Sequence, residues 1–313
     1  ALNKMGAKIE RREKSYYAES KELHGAEIEL LYPSVGATEN IILTAVLAKG
    51  DTVIKNAAVE PEILNLLDML LQMGANISCQ PDERIIKISG VSKLSGTKIK
   101  VIPDRNEIVS LAVAALATKG DILMQGINPD ITFKSGQESV GYLEIFLDKV
   151  KEAGGEYEIK PEGLRFFVKD GFKAVSIETS PHPGFMTDWQ QPFCVLLTQS
   201  VGESIIHETV YEDRFGYTKD LVKMGADIRV SDECPDGQKC RYQGQTFNHT
   251  AFIKGSTPLR GAEIQMTDIR AGMAHIIAAL VATGESRVSG VAHVDRGYEK
   301  LDERLKQLGA DIQ

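Results

Sequence analysis

Several things are scarce in this sequence, and each scarcity excludes something. There are 4 cysteines in 313 residues. Cys79, Cys194, Cys234 and Cys240 show no two-residue metal or redox spacing. Cys234 and Cys240 flank a Pro-Asp-Gly turn, where a hairpin-crossing disulfide is one reading and reduced thiols of a cytoplasmic protein the favoured one. The nearly apolar runs Ile41–Ala48 and Ile276–Ala282 fall far short of the ~20 residues that a membrane helix needs, so no membrane insertion is expected. Positive charge is in deficit: 36 Lys+Arg against 44 Asp+Glu gives a net charge of −8. That balance argues against general nucleic-acid or anionic-membrane binding, although a local cationic pocket stays open. The phosphate loop, the dinucleotide fingerprint and the Gly-x-Ser-x-Gly elbow are all missing. His24, His207, His249 and His275 have no metal-like spacing. Neither a metal nor a cofactor is expected.

What is present is an ordinary folded composition, with 42% hydrophobic and 26% charged residues. Its length suits about two domains. The strongest signal is internal repetition. A phrase of the form Leu/Met-Gly-Ala-x-Ile recurs at Gly6, Gly74, Gly225 and Gly309, with a degenerate copy at Gly154. A second phrase ends at Gly50, Gly120, Gly202 and Gly284, and a third, Leu-x-Gly-x-x-Ile, starts at Leu23, Leu94 and Leu259. Glycine after an apolar helical stripe is a helix C-cap. Alternating residues such as Arg84-Ile-Ile-Lys-Ile-Ser then give short strands. Each unit therefore alternates strands and helices, which makes an α/β or α+β architecture built of copies. Gly126–Gly141 reads as an insertion.

Aligning the copies stacks two slots. In the first, a strand feeds a helix start, occupied by Ser34-Val35-Gly36, Asp104-Arg105, Thr187-Asp188-Trp189 and Thr267-Asp268-Ile-Arg270. Ser, Thr and Asp are good N-caps, so capping is one reading. It leaves Arg105 and Arg270 unexplained, because a cation in the first turn opposes the helix dipole. The second slot lies twelve residues beyond the mid-repeat glycine and holds Glu62, Arg214 and Arg296. Arg105, Arg214, Arg270 and Arg296 could converge with Asp188 and Asp268 on one anion-binding cleft. The competing reading pairs each arginine with its neighbour Asp104, Asp213, Asp268 or Asp295. His182, in Pro-His-Pro-Gly, reads as a rigid-loop histidine with substrate contact as the alternative. His275 reads as packed in an apolar helix. Trp189 either lines the cleft or packs.

The strings "PSVGATENIILTAVLAKGDTVIKNAAVEPEI", "PGFMTDWQQPF", "HETVYEDRFGY", "TDIRAGMAHIIAALVATGES" and "HVDRGYEKLDERLKQLGADI" resemble the enolpyruvyl transferase family, in its branch acting on UDP-N-acetylglucosamine. The resemblance runs essentially from Ala1 to Gln313. The related shikimate-phosphate branch shares the fold but not these strings. The resemblance implies two globes of repeated βαβαββ units, an inside-out α/β barrel with helix starts pointing inward. It implies a remnant of the first globe at 1–102, on the nucleotide-sugar side, and a second globe at 103–313. It further implies that enolpyruvyl passes from phosphoenolpyruvate to the 3′-hydroxyl of UDP-N-acetylglucosamine, releasing phosphate through a tetrahedral ketal, as the first committed step of peptidoglycan synthesis in the cytoplasm.

By motif, the resemblance makes Asp188 the general base. Arg214, Arg270 and Arg296 would hold phosphoenolpyruvate, and Asp268 would sit near the reacting centre. Ser34, Val35 and Gly36 would lie at the diphosphate, Thr187, Thr209 and Val210 at the UDP-sugar, and Arg105 at a hinge. The stretch Ser231–Thr257 is longer than usual for the family. The family's loop carrying the proton donor has no counterpart here, and roughly one and a half units are expected to be missing before Ala1. On that expectation the chain does not turn over alone. Transfer to another nucleotide sugar and a non-catalytic UDP-sugar-binding paralogue are the alternatives.

Overall fold

The computed structural model describes residues 1–129, 142–235, 240–266 and 269–313. It divides into two compact units, with Ala1–Ile102 in one and Pro103–Pro129 with Leu143–Gln313 in the other.

The first unit opens with an antiparallel pair, β1 (Lys8–Arg12) and β2 (Ser15–Glu19). One full repeat comes next: β3 (Glu27–Glu29), α1 (Val35–Ala45), β4 (Asp51–Lys55), α2 (Pro61–Gln72), β5 (Asn76–Gln80) and β6 (Ile85–Ser89). Its sheet runs β3-β4-β6-β5, parallel at the first pairing and antiparallel at the other two. Alternation along β4 and β6 sends Ile54, Ile86 and Ile88 inward, where they pack with Ile41 and Ile42 of α1 and Ile63, Leu64 and Leu67 of α2.

The second unit contains α3 (Arg105–Ala117), β7 (Asp121–Gln125), α4 (Glu144–Glu152), β8 (Gly155–Lys160) and β9 (Gly163–Val168), with sheet order β7-β9-β8. Then come β10 (Ser176–Glu178), α5 (Gln190–Thr198), β11 (Gly202–His207), α6 (Thr218–Lys223), β12 (Asp227–Ser231) and β13 (Thr250–Gly255). Their sheet runs β10-β11-β13-β12, with the same parallel and antiparallel pattern as the first repeat. The chain closes with β14 (Glu263–Gln265), α7 (Ile269–Val281), β15 (Arg287–Ser289), α8 (Ala292–Asp295) and α9 (Leu301–Gln307), and β14 pairs parallel to β15. The expected α/β fold of repeated βαβαββ units is therefore present. Of the expected insertion Gly126–Gly141, residues 130–141 lie outside the described residues.

The glycine phrases have concrete causes. At Gly6, Gly74, Gly225 and Gly309, φ lies between +94° and +105°. The next residue's N–H reaches back to the carbonyl five residues earlier: Ala7 to Leu2, Ala75 to Leu70, Ala226 to Leu221 and Ala310 to Leu305, at 2.9–3.1 Å. This is a Schellman closure, which uses up orphan carbonyls of the helix end. Two copies of the third phrase answer to crowding, while the space beside Gly96 in the other is open. A Cβ on Gly25 or Gly261 would lie 2.0 Å from the carbonyl oxygen of Asp51 or Glu285, where two parallel strands begin to pair.

Helices α3, α5 and α7 pack on one another at the centre of the second unit. That explains their composition. Every residue of α5 is buried, and ten of α3 are. A helix surrounded by protein has no solvent face, so its apolar residues run all the way round. No helix among the described residues is long and apolar enough to cross a membrane.

Candidate active site

Where β10 and β11 end side by side, a polar network begins. Glu208, the residue after β11, is fully buried. A bare buried carboxylate is costly, and this one collects four donors. Its Oε1 accepts from Thr179 Oγ1 (2.8 Å), Val210 N (2.7 Å) and Tyr211 N (2.9 Å), and its Oε2 accepts from Thr187 Oγ1 (2.7 Å). Thr209 joins through its own N–H to Thr179 Oγ1 at 2.9 Å. One side chain thus fixes both the segment Thr209–Tyr211 and the approach to α5.

Arg214 then ties these two segments together. Its guanidinium donates to Thr187 Oγ1 at 2.9 Å and to Asp188 Oδ1 at 2.5 Å. Asp188 and Arg214 are 18% and 14% exposed, so the pair is shielded but still reachable from solvent. Charge-assisted bonds of this kind are short and strong. Arg214 is therefore partnered with the aspartate of the other slot, not with its neighbour Asp213. The guanidinium also lies over the Tyr211 ring at 4.9 Å.

Beside Asp188, Trp189 is 1% exposed and meets Phe146 and Phe185 edge-on at 5.9 and 5.6 Å. It packs. The Arg105 guanidinium lies over its ring at 5.4 Å and is itself 1% exposed. Asp104 caps α3 by accepting from Asn106 N at 2.7 Å. In this unit, Arg105, Trp189, Asp188, Thr187, Arg214, Thr209 and Val210 form one continuous patch at the starts of α3 and α5.

The remaining expected residues divide differently. Thr267, Asp268 and the side chain of Arg270 lie outside the described residues. Arg296 is exposed just past α8. The helix α8 leans on the first turns of α7, where a Cβ on Gly272 would come within 2.3 Å of Val294. No bond joins Arg296 to the Asp188–Arg214 network among the described residues. Ser34, Val35 and Gly36 form the start of α1 in the first unit. Ser34 Oγ accepts from Ala37 N at 3.3 Å, and the space beside Gly36 is open.

Two thiols are chemically quiet. Burial pushes the Cys194 thiol up to about 12, and that of Cys79 up to about 11. Neither ionises near neutrality. Burial also lowers the proton affinity of His275, against the opposing pull of Asp220 3.1 Å away. As expected, it is packed in an apolar helix, 2% exposed.

Sequence reasoning missed two features. Glu208 stands inside a recognised string, and only the pairing of β10 with β11 reveals it as a hub. The other is a cluster of His207, Cys234, Cys240 and His249, whose ligating atoms all lie within 4.8 Å of one another. No metal was expected, because the spacing along the chain hides this convergence.

Comparison with known proteins points the same way. The family model described as EPSP synthase (3-phosphoshikimate 1-carboxyvinyltransferase) matches residues 1–305. A UDP-N-acetylglucosamine 1-carboxyvinyltransferase of Protochlamydia amoebophila is 46% identical, covering 100% of this chain and 66% of that protein. One of the same name from Chlamydia trachomatis is 41% identical, covering 99% and 68%. The chain thus spans about two thirds of the length of the curated relatives it matches. Among solved structures, the enolpyruvyl transferase NikO of Streptomyces tendae superposes with a TM-score of 0.83 at 22% identity, covering 100% of this chain and 70% of that one. EPSP synthase of Acinetobacter baumannii gives 0.67 at 20%, covering 100% and 70%. At these identities the structures speak for the fold.

Proposed function

The chain belongs to the EPSP synthase (3-phosphoshikimate 1-carboxyvinyltransferase) family, and from that premise we propose that it serves enolpyruvyl transfer from phosphoenolpyruvate to the 3′-hydroxyl of UDP-N-acetylglucosamine. Phosphate is released, and the step commits material to peptidoglycan in the cytoplasm. Likeness along 100% and 99% of this chain to carboxyvinyltransferases, at 46% and 41% identity, supports the acceptor. The observation that carries the chemistry is the shielded Asp188–Arg214 pair with Thr187 at the start of α5.

The reaction needs a base for a sugar hydroxyl, a cationic cradle for phosphate and carboxylate, and a proton for the methylene carbon. The sugar oxygen bonds to C2 of phosphoenolpyruvate while the methylene gains a proton. The C2–phosphate bond then breaks and the methylene loses a proton, restoring the double bond. Asp188 is the base for the hydroxyl proton. An ordinary carboxylate is a weak base, so its position matters, and the start of α5 supplies that. Arg214 has a separate task. An incoming phosphoenolpyruvate anion competes with Asp188 for the guanidinium, so donor binding releases the carboxylate toward the acceptor. Arg105, Arg270 and Arg296 complete the cationic side, and Asp268 stands near the reacting carbon. Ser34, Val35 and Gly36 present backbone donors of a helix start to the diphosphate. The unit at 1–102 serves the nucleotide sugar, and the unit at 103–313 serves phosphoenolpyruvate and the base.

The roles separate kinetically in the protein as its cell produces it. Asp188→Asn lowers kcat by about 10²–10⁴ with little change in KM for either substrate. Arg214→Ala raises KM for phosphoenolpyruvate and lowers kcat together. An Asp188→Asn variant with unimpaired kcat would remove the base from this reading.

A further inference from the structure

His207, Cys234, Cys240 and His249 come from three places in the chain. His207 ends β11 and pairs across the sheet with Thr250, the first residue of β13. His249 directly precedes that strand, and its backbone is clamped on both sides: its N–H donates to Ser231 (2.9 Å), and its carbonyl accepts from Glu208 N (2.7 Å). Cys234 and Cys240 stand between β12 and β13 in the chain, and their sulfurs lie beside the two histidines. Cys234 Sγ lies 2.9 Å from Cys240 Sγ and 3.5 Å from His249 Nε2. Four ligands about 2.0–2.3 Å from a central zinc ion would stand roughly 3.3–3.8 Å apart, and the cluster lies around that shape.

The imidazoles are prepared for such a role. His207 Nδ1 lies 2.9 Å from Glu178 Oε2, and His249 Nδ1 lies 3.2 Å from the Phe247 carbonyl oxygen. A carbonyl can only accept, and an ionised carboxylate does the same. Both rings therefore carry their proton on Nδ1, and the Nε2 lone pair of His249 faces Cys234 Sγ at 3.5 Å. His207 Nε2 is buried and has no hydrogen-bond partner among the described residues. A buried acceptor left unmatched is destabilising, and a ligated cation removes that cost. Carboxylate and carbonyl partners behind ligating histidines are the usual outer support of a metal ion. Tyr242 N donates to Cys240 Sγ at 3.4 Å. The Tyr242 ring, 2% exposed, covers His249 with centroids 5.9 Å apart.

We propose that these four residues form a closed structural site for one Zn²⁺. Two thiolates and two neutral imidazoles favour zinc over the harder cations, and the two thiolate charges cancel that of the ion. Four protein ligands leave no open position for chemistry. The site's work is mechanical. It ties Cys234 and Cys240 to the sheet end and holds the end of β11, one residue before Glu208, which organises Thr187 and Thr209–Tyr211. This inference stands apart from the substrate assignment, since it needs neither acceptor nor donor.

The test uses tag-free protein purified from zinc-supplemented culture, with metal counted by inductively coupled plasma mass spectrometry and native mass. About one zinc per chain is expected. Cobalt substitution should give a thiolate-to-cobalt charge-transfer band and the intense visible bands of a tetrahedral centre. His207→Gln should lower zinc affinity at least tenfold, and Cys234→Ser with Cys240→Ser should abolish stoichiometric binding. Cys79→Ser, in the other unit, should retain the metal. If the cysteine variants do not fold, the wild-type native mass and cobalt spectrum still decide. Wild-type protein that takes up no stoichiometric zinc from added Zn²⁺ would overturn the site, as would one isolated with a Cys234–Cys240 disulfide. So would a His207→Gln variant that binds zinc as tightly as wild type.

Discussion

The repeat at Glu27–Ser89 and the repeat at Ser176–Gly255 take the same chain path and the same sheet order. The backbone bond from the end of the first strand to the end of the second is also shared: Leu30 N to the Lys55 carbonyl (3.1 Å) in one, Thr179 N to the His207 carbonyl (2.9 Å) in the other. Beyond that bond the two copies diverge. Next after β4 stands Asn56, whose amide makes one bond to the Leu30 carbonyl at 2.8 Å. Next after β11 stands Glu208, with four donors on one carboxylate. Further along, the first copy holds Glu62 where the second holds Arg214. The hairpin β5–β6 is a tight turn at 81–84, whereas β12–β13 is joined by 232–249 with its cysteines. The scaffold is common to both. What differs is what sits on three corresponding loop positions.

Truncating the two matched residues should separate the copies most sharply. Glu208→Ala strands the buried Thr179 hydroxyl, the half-buried Thr187 hydroxyl and two backbone N–H groups, so a loss of about 3–5 kcal/mol is expected in chemical denaturation. Asn56→Ala removes one bond and leaves alanine at a positive φ of 53°, so about 1–2 kcal/mol is expected. Equal losses would break the comparison, since the two positions would then be plain turn residues of the same weight.

The smallest effect concerns pH. Burial holds His275 below the 6.5 of a free histidine. The unfolded chain therefore binds the proton first as pH falls. The stability contributed by neutral His275 is complete above 6.5 and declines as pH drops through and below that value. His275→Asn should flatten this part of the stability-versus-pH curve, measured by denaturant midpoints. A wild-type curve that rises toward acid in this window would reverse the assignment. Asp220, facing His275, opposes the shift, so the slope should be shallow.

How far residues alone could go is clear from particular cases. The Gly-Ala phrases announced helix ends because a Schellman closure demands positive φ at one position, a local requirement written locally. The stacked slots brought out Thr187, Asp188 and Arg214, because repeats place equal offsets at equal places. The pairing of Arg214 with Asp188 instead of Asp213 was open in the sequence, since it depends on where α5 begins relative to the end of β11. Glu208 was illegible for a related reason. Its donors come from Thr179, Thr187, Val210 and Tyr211, and only strand pairing gathers them. The cysteine–histidine cluster was hidden most completely. Its histidines become neighbours through the β11–β13 register, and no spacing rule along the chain contains that register. Of the four arginines expected to gather, Arg214 bonds Asp188 and Arg105 lies over Trp189, whereas Arg296 is exposed and the Arg270 side chain lies outside the described residues.

The most direct measurement for the central claim is acceptor-dependent phosphate release from phosphoenolpyruvate, made on the protein as its cell produces it. UDP-N-acetylglucosamine and shikimate 3-phosphate should be offered side by side, with Asp188→Asn in parallel. The account predicts release with the nucleotide sugar, none above background with the shikimate ester, and loss of the signal in the variant. Release driven by shikimate 3-phosphate, or release with the sugar that survives Asp188→Asn undiminished, would contradict it.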